Sequence, residues 1–169
     1  MDRLILFRHG KAEPDSASGE DFDRRLAPRG QRESADMGAQ LADLGFLPDV
    51  VLVSPAARAR ETWAAAEPHF PKARARFDDE LYHADSGSVR REAERAGADC
   101  GTVMVVGHNP GLQELAVRLL TEGGSPPSLI ARATRQFPTA AAAVFLFDGN
   151  GRPAFDGLFF PERNPGRGD

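Results

Sequence analysis

One cysteine, Cys100, is all the thiol chemistry in this chain of 169 residues. That excludes an internal disulfide framework and a cysteine-cluster metal site. A lone cysteine just ahead of a strand reads as structural, and the compartment expected from such usage is a reducing cytoplasm. No apolar run approaches the length of a membrane span, so no membrane partner is expected. Met1-Asp2-Arg3 runs straight into the first apolar stretch, which leaves no space for a signal-peptide core, and no export is expected. The chain also lacks a positive excess: a net charge of −4 and a pI near 5.6 argue against a nucleic-acid partner. There is no internal repeat. Hydrophobic residues at 41% and charged residues at 27% fit an ordinary globular protein, and the length suits one full core rather than two. We expect one domain over residues 1–160 and a frayed Pro-, Gly- and Arg-rich tail over 161–169.

What the chain does have is an alternation of short apolar runs and helical patterns, the mark of βαβ units and a largely parallel sheet. Leu4-Ile5-Leu6-Phe7 reads as a first strand. A polar loop, Glu13 to Arg25, leads to a helix from about Gly30 in which Met37, Leu41 and Leu44 recur at helical spacing, with Gly45 as its stop. Val50–Val53 is a second strand, and Ser54-Pro55 reads as N-cap and first-turn proline of the helix carrying Arg58, Thr62 and Trp63. Arg74–Phe77 suits a short edge strand, Val89, Ala93 and Ala96 outline a helix ending at Gly97, and Val103–Val106 is a third buried strand. Asn109-Pro110 repeats the cap-and-proline signal before an apolar stripe of Leu112, Leu115, Ala116 and Leu119. Gly123 to Pro127 reads as a flexible connection. Ala141–Phe147 and Arg152–Leu158 read as strands joined by the turn Asp148-Gly149-Asn150-Gly151. The expected fold is α/β: a three-layer α/β/α sandwich with a mostly parallel central sheet and an antiparallel C-terminal hairpin.

Two of the four histidines leave buried strands at their C-terminal ends, within Arg8-His9-Gly10 and Gly107-His108-Asn109-Pro110. In an open α/β sheet that edge is where ligands bind. A hydrogen-bonded turn histidine is the plain reading of His9. The functional one is a nucleophile that accepts a phosphoryl group, with Gly10 allowing close backbone approach and Arg8 offering a planar fork of donors to phosphate oxygens. Arg58, about one turn into its helix, can address the same anion, while Arg60 points elsewhere around the helix and Thr62 shares the face of Arg58. His108 sits at a helix N-terminus, where a neutral imidazole is favoured, and two nearby arginines push the same way. A neutral His9 is what attack on phosphorus requires, with Arg8, Arg58 and His108 steadying the oxygens and no metal needed. His69 reads as surface structure, and His83 is open.

Arg8-His9-Gly10, Ser54-Pro55-Ala56-Ala57-Arg58-Ala59-Arg60-Glu61-Thr62 and Val106-Gly107-His108-Asn109-Pro110 together resemble the histidine phosphatase superfamily, the phosphoglycerate-mutase-like proteins, over nearly the whole chain. Leu26-Ala27-Pro28-Arg29-Gly30, placed before the first helix, Glu80-Leu81-Tyr82-His83-Ala84 and Phe137-Pro138-Thr139-Ala140 resemble the SixA branch, typified by a protein phosphohistidine phosphatase. The resemblance implies that His9 becomes phosphohistidine, that Arg8, Arg58 and His108 complete the phosphate pocket with Gly10 and Asn109 beside the substrate, and that no cofactor or metal takes part. The implied partners are a phosphorylated substrate, such as a histidine-phosphotransfer protein, and inorganic phosphate as product.

The chain departs from the family at the general acid. Many members carry a glutamate two residues beyond a leucine, where Leu81-Tyr82-His83 puts a histidine; Glu80 lies one before that leucine. The acid is therefore Glu80, His83 or none. A phosphoramidate, whose leaving nitrogen can be protonated beforehand, tolerates this better than an alkyl ester. The short segment between Thr62 and Val103 leaves no substantial lid, and the acidic loop from Glu13 to Asp23 is expected to repel highly anionic metabolites while leaving room for a protein surface. Phosphohistidine is the expected substrate. The competing readings are a small-molecule phosphomonoesterase or mutase, and a catalytically silent phospholigand-binding module.

Overall fold

The computed structural model describes residues 1–163, and its centre is a six-stranded sheet. The strands are β1 (Arg3–Arg8), β2 (Val50–Val53), β3 (Arg74–Phe77), β4 (Thr102–Gly107), β5 (Ala142–Phe147) and β6 (Pro153–Phe159), in the spatial order β3-β2-β4-β1-β5-β6. The first four in that order run parallel, and β5 and β6 run antiparallel at the far edge. This is the mostly parallel sheet with an antiparallel C-terminal pair that the alternating pattern predicts. The helices are α1 (Pro28–Asp43), α2 (Ala57–Ala66), α3 (Ser86–Ala96), α4 (Gly111–Glu122) and α5 (Pro127–Arg135).

Alternation along the strands divides the core in two. Ile5, Phe7, Val51, Val53, Met104 and Val106 face Met37 and Leu41 of α1 and Trp63 of α2. Leu4, Leu6, Leu52, Val103 and Val105 face Val89 and Ala93 of α3, the stripe on α4, and Ala133 of α5. Every residue of β4 is buried, as a central parallel strand covered on both faces requires. Arg8 pairs with Gly107 and Val53 with Val106, so the C-terminal ends of β1, β2 and β4 finish level. After β3 the chain returns to insert β4 between β2 and β1, and the crevice above that reversal is where such a sheet binds ligands.

Several boundaries differ from expectation. Pro28 begins α1 behind an N-cap at Ala27, so the Leu26–Gly30 segment enters the helix rather than preceding it. Leu44 is the C-cap and half exposed, leaving Met37 and Leu41 as the inward pair; the expected stop, Gly45, has φ +82°. Ala56 occupies the cap position of α2 and Pro110 that of α4, so Ser54 lies two residues and Asn109 one residue further out than expected, where their side chains also reach the site. Four residues, 123–126, join α4 to α5, a helix the sequence reading missed because Gly123 to Pro127 drew it toward a flexible connection. The fraying expected of 161–169 falls mostly on 164–169, outside the described residues; at Arg163 the chain is still tied, to Glu33 at 3.2 Å and to the Thr139 hydroxyl at 3.2 Å.

After β1 the backbone passes so close to α1 that a Cβ on Gly10 would lie 2.6 Å from Ser34 Oγ and 2.7 Å from the Gly30 carbonyl. A Cβ on Gly30 would overlap the Lys11 carbonyl oxygen. Gly30→Ala should therefore lose about 1–3 kcal/mol by overpacking, although alanine in an open helical position gains up to about 1 kcal/mol over glycine. Urea denaturation checks the sign: a stabilised Gly30→Ala protein would mean the turn is free to move away.

Candidate active site

β1 delivers Arg8 and His9 to the crevice, and three neighbours fix the turn that follows. The His9 N–H donates to the Gly107 carbonyl at 3.0 Å, the His9 carbonyl accepts from the Ala140 N–H at 2.9 Å, and the Gly10 N–H donates to Thr62 Oγ1 at 2.9 Å. The Thr62 hydroxyl donates in turn to the Arg58 carbonyl, one helical turn back, at 2.7 Å. Thr62 is fully buried and so couples the turn after His9 to the helix carrying Arg58. Gly10 itself gives its N–H to Thr62 and is not among the described residues lining the cavity.

His9 is only 8% exposed. Its Nδ1 lies 2.8 Å from the Gly10 carbonyl, an acceptor only, so Nδ1 carries the proton and Nε2 keeps its lone pair. No described residue bonds Nε2, which faces the cavity. Burial, followed by His108, Arg8 and Arg58, pushes the imidazole down to about 3 against the opposing pull of the Gly10 carbonyl. The His108 ring lies 5.1 Å away between centroids. Its Nε2 is 2.7 Å from Ser54 Oγ, which is what the expected capping serine does instead. Burial and then Arg58 bring His108 down to about 4, with Asp21 opposing. Both imidazoles are neutral at pH 7.

The guanidinium of Arg8 donates from Nη1 to the Phe137 carbonyl at 2.9 Å, and Asn109 Nδ2 donates to the same oxygen at 2.9 Å. Asn109 Oδ1 accepts from the Gln113 N–H at 3.2 Å, and Gln113 Nε2 donates to the last carbonyls of α5, Ala133 at 2.9 Å and Thr134 at 3.1 Å. The unforeseen α5 thus positions the carbonyl that aims Arg8. Arg58, 7% exposed, donates from Nη1 to the Asp21 carbonyl at 2.9 Å and from Nη2 to its carboxylate at 3.1 Å. That carboxylate also accepts from Tyr82 Oη at 2.7 Å and Arg24 Nη1 at 2.8 Å. Tyr82, then Arg24 and Arg58, hold the Asp21 carboxyl well below the usual range despite some desolvation. Arg60 stands outside, its guanidinium 4.6 Å from the centre of the Phe77 ring.

These residues enclose a cavity of about 330 Å³ lined by Arg8, His9, Arg58, His108 and Asn109, together with Lys11, Arg24 and Thr139. Sequence reasoning missed the last three. Lys11 could have been found by following the turn one residue past Gly10, but Arg24 arrives through a loop whose placement depends on contacts across the fold. Ala12 bridges Leu26 at the base of that loop, Glu13 N–H donates to the Arg25 carbonyl at 2.8 Å, and Arg25 pairs with Glu61 of α2 at 2.7 Å. The loop expected to repel anions therefore lends the cavity a cation, while its Asp21 is compensated by Arg58 and Arg24.

Glu80 does not enter the crevice. It is exposed in the 3₁₀ turn Asp79–Leu81, its N–H donating to Asp78 Oδ1 at 3.1 Å, and its charge is felt by Glu92 on α3. Leu81, only 2% exposed, turns inward while its neighbour Glu80 stays exposed, outside the described lining of the cavity. His83, with φ +59° and its ring 3.9 Å from that of Tyr82, lines a second cavity of about 440 Å³ shared by Asp21, Arg58, Asp85, His108, Asn109 and Glu114. His69 is exposed. Among the described residues no group of three or more His, Cys, Asp or Glu side chains could hold a metal ion, and no helix is long and apolar enough to cross a membrane.

Against known proteins, the family model of the histidine phosphatase superfamily (branch 1) matches residues 4–98. An uncharacterized protein of Mycobacterium tuberculosis is 40% identical over 145 residues, covering 85% of this chain and 88% of its own. Among solved structures, a candidate phosphohistidine phosphatase SixA from Agrobacterium tumefaciens is 31% identical, with 95% of this chain and 98% of that one covered and a TM-score of 0.80. The protein histidine phosphatase SixA complexed with tungstate is 27% identical, with 92% and 95% covered and a TM-score of 0.73.

A histidine held neutral in the fold makes stability depend on pH. His9 titrates near 3 when folded and near 6.5 when unfolded, so between those values the unfolded state binds the extra proton and stability falls as pH falls. From pH 7 to pH 5 His9 alone should contribute a loss of about 2 kcal/mol. Urea denaturation of the wild type and His9→Ala at both pH values checks this: the wild type should lose about 2 kcal/mol more than the variant, and equal losses would mean that His9 is not held neutral.

Proposed function

The chain belongs to the histidine phosphatase superfamily and is SixA-like within it, and from that premise we propose a metal-independent phosphohistidine phosphatase working through a phosphoryl group carried on His9. One observation carries the reading. His9 Nε2 is an unprotonated lone pair, oriented by the Nδ1–Gly10 bond, that opens into a cavity lined by four cations, Arg8, Lys11, Arg24 and Arg58, and by no carboxylate among the described residues. A tetrahedral oxyanion suits such a cavity, and the tungstate held by the similar SixA structure is one.

In the first step Nε2 attacks phosphorus, the Nε2–P bond forms, and the P–N bond to the substrate's imidazole breaks. A substrate ring protonated on its other nitrogen leaves as neutral imidazole, because the electron pair of the broken bond stays on the departing nitrogen. No acid is consumed. The bond made and the bond broken are of the same kind, so the transfer is close to an even exchange. His9 becomes a phosphoimidazolium whose Nδ1–H still points at the Gly10 carbonyl. In the second step a water oxygen attacks phosphorus, the Nε2–P bond breaks with its pair returning to Nε2, and both water protons leave on the phosphate. Arg8, Arg58 and His108 steady the equatorial oxygens in both steps, worth several kcal/mol in such preorganised sites.

The exposed position of Glu80 supports the P–N substrate, since an alkoxide leaving group needs a positioned acid and an imidazole that arrives protonated does not. Between α2 and β4 the chain builds only β3 and α3 with their turns, so the cleft stays open to a phosphorylated side chain on a partner such as a histidine-phosphotransfer protein. The lone thiol, Cys100, suits a reducing cytoplasm.

Rapid quenching with phosphohistidine as substrate should trap one phosphate per chain, labile in acid and stable in base, absent from His9→Ala and unaffected by exhaustive chelation. The kcat/KM should exceed that for phosphoserine. Faster turnover of phosphoserine would instead favour a small-molecule phosphomonoesterase, and failure to turn over either substrate a silent binding module. Arg58→Ala should lower kcat/KM by roughly a hundredfold or more, whereas Arg60→Ala, whose guanidinium lies over Phe77, should stay within about twofold. The reverse ranking would place the wrong face of α2 in the site.

A further inference from the structure

The cleft has two ends of opposite charge. The first cavity, where His9 stands, is lined by four cations. The second, of about 440 Å³, shares Arg58, His108 and Asn109 with the first but does not include His9. Its remaining charged wall is Asp21, Asp85 and Glu114, with His83 beside them. Asp21 is matched by Arg58 and Arg24. The other two carboxylates form no salt bridge among the described residues, although the charge of Arg91 is felt by Asp85. Asp85 is held rigid, because its Oδ1 caps α3 through the Ser88 N–H at 2.7 Å. Glu114 projects from the first turn of α4.

An acidic wall alone is ordinary surface. This one belongs to a cavity that shares Arg58, His108 and Asn109 with the cavity lined by His9, a histidine only 8% exposed. A phosphoryl group seated against His9 among the cations leaves its departing group to extend away from His9, into the second cavity. We infer that this cavity is a leaving-group subsite in which Asp85 and Glu114 select a cationic group, such as an imidazole protonated on its second nitrogen or an alkylammonium, and disfavour a carboxylate-bearing one. The inference rests on the reading of His9 as nucleophile and deepens it, since the protonated ring is the form that departs without an acid. Neither Asp85 nor Glu114 touches the reacting atoms in this assignment: both set specificity through charge.

Two phosphate monoesters of similar size test it, phosphoethanolamine with an ammonium tail and phosphoglycolate with a carboxylate tail. Binding to the His9→Ala protein, which cannot turn them over, is measured by calorimetry, with and without the added pair Asp85→Asn and Glu114→Gln. Asparagine caps a helix as well as aspartate does, so α3 keeps its start. Charges about 7 Å away across solvated protein predict that the ammonium compound binds roughly tenfold tighter, and that the preference falls to about twofold or less in the pair variant. Equal affinities in the parent, a preference unchanged by the pair variant, or binding of neither compound would overturn the subsite. The phosphohistidine reading stands or falls separately: turnover of phosphohistidine by an otherwise wild-type protein lacking the binding preference would leave the function and remove the subsite. A preserved preference without phosphohistidine turnover would keep the subsite and remove the P–N substrate.

Discussion

The close passage of the Gly10–Lys11 backbone over α1 is the constraint on which the rest of the site depends. Only a chain without side chains at both Gly10 and Gly30 can pass there, and the contact brings the Gly10 N–H within reach of Thr62 on α2. Held from below by α1 and from the side by α2, the turn cannot relax outward. Its carbonyl then stands where His9 Nδ1 must donate, which selects the tautomer and leaves Nε2 bare. The tautomer of His9 is thereby decided by the packing of two helices against a strand end.

That packing also places uncompensated charge. Burial works against the charge of Arg8 before any neighbour does, and its neighbouring charges, Arg163 and Arg58, act in the same direction. A protein interior tolerates such crowding only where something answers it. Asp21 answers part of it by pairing with Arg58 and Arg24 and by accepting from Tyr82. Arg8 has only the Phe137 carbonyl. The first cavity remains a place where a dianion completes the electrostatics, and where neither His9 nor His108 can hold a second proton at neutral pH.

Much of this was legible in the sequence because the relevant signals are local. An apolar run ending in a histidine and glycine, twice over, names two strand ends, and the alternation of elements makes those ends neighbours. The phasing of Arg58 against Arg60 needed only 3.6 residues per turn, and the hairpin at 148–151 needed only turn chemistry. What escaped was whatever depends on contacts distant in sequence. Ser54 and Asn109 carry the side chains of helix caps, yet His108 and Phe137 claim them. Glu80 looked like an acid because its neighbours match a family segment; the burial of Leu81 decides which way it faces. Asp21, Arg24 and Tyr82 converge on Arg58 from two loops separated by some sixty positions, and no spacing rule could join them. The short helix α5 escaped although Leu129, Ile130 and Ala133 fall on one face and pack on the core, because Gly123 to Pro127 drew the reading toward a flexible connection; it supports the carbonyl that orients Arg8.

The pair Arg58–Asp21 stands at the boundary between the two ends of the cleft, since both residues line the second cavity and Arg58 lines the first as well. A salt bridge at such a place does more than hold a side chain. By matching Arg58, Asp21 prevents the field of the cationic end from dominating the second cavity, where Asp85 and Glu114 then determine the sign. The proposed phosphoryl transfer between nitrogens would draw on both environments at once: cations around phosphorus that keep His9 neutral, and a neighbouring region that tolerates a ring still carrying its proton. One loop carboxylate, reaching across to an arginine on α2, lets two opposed fields share a crevice a few residues wide.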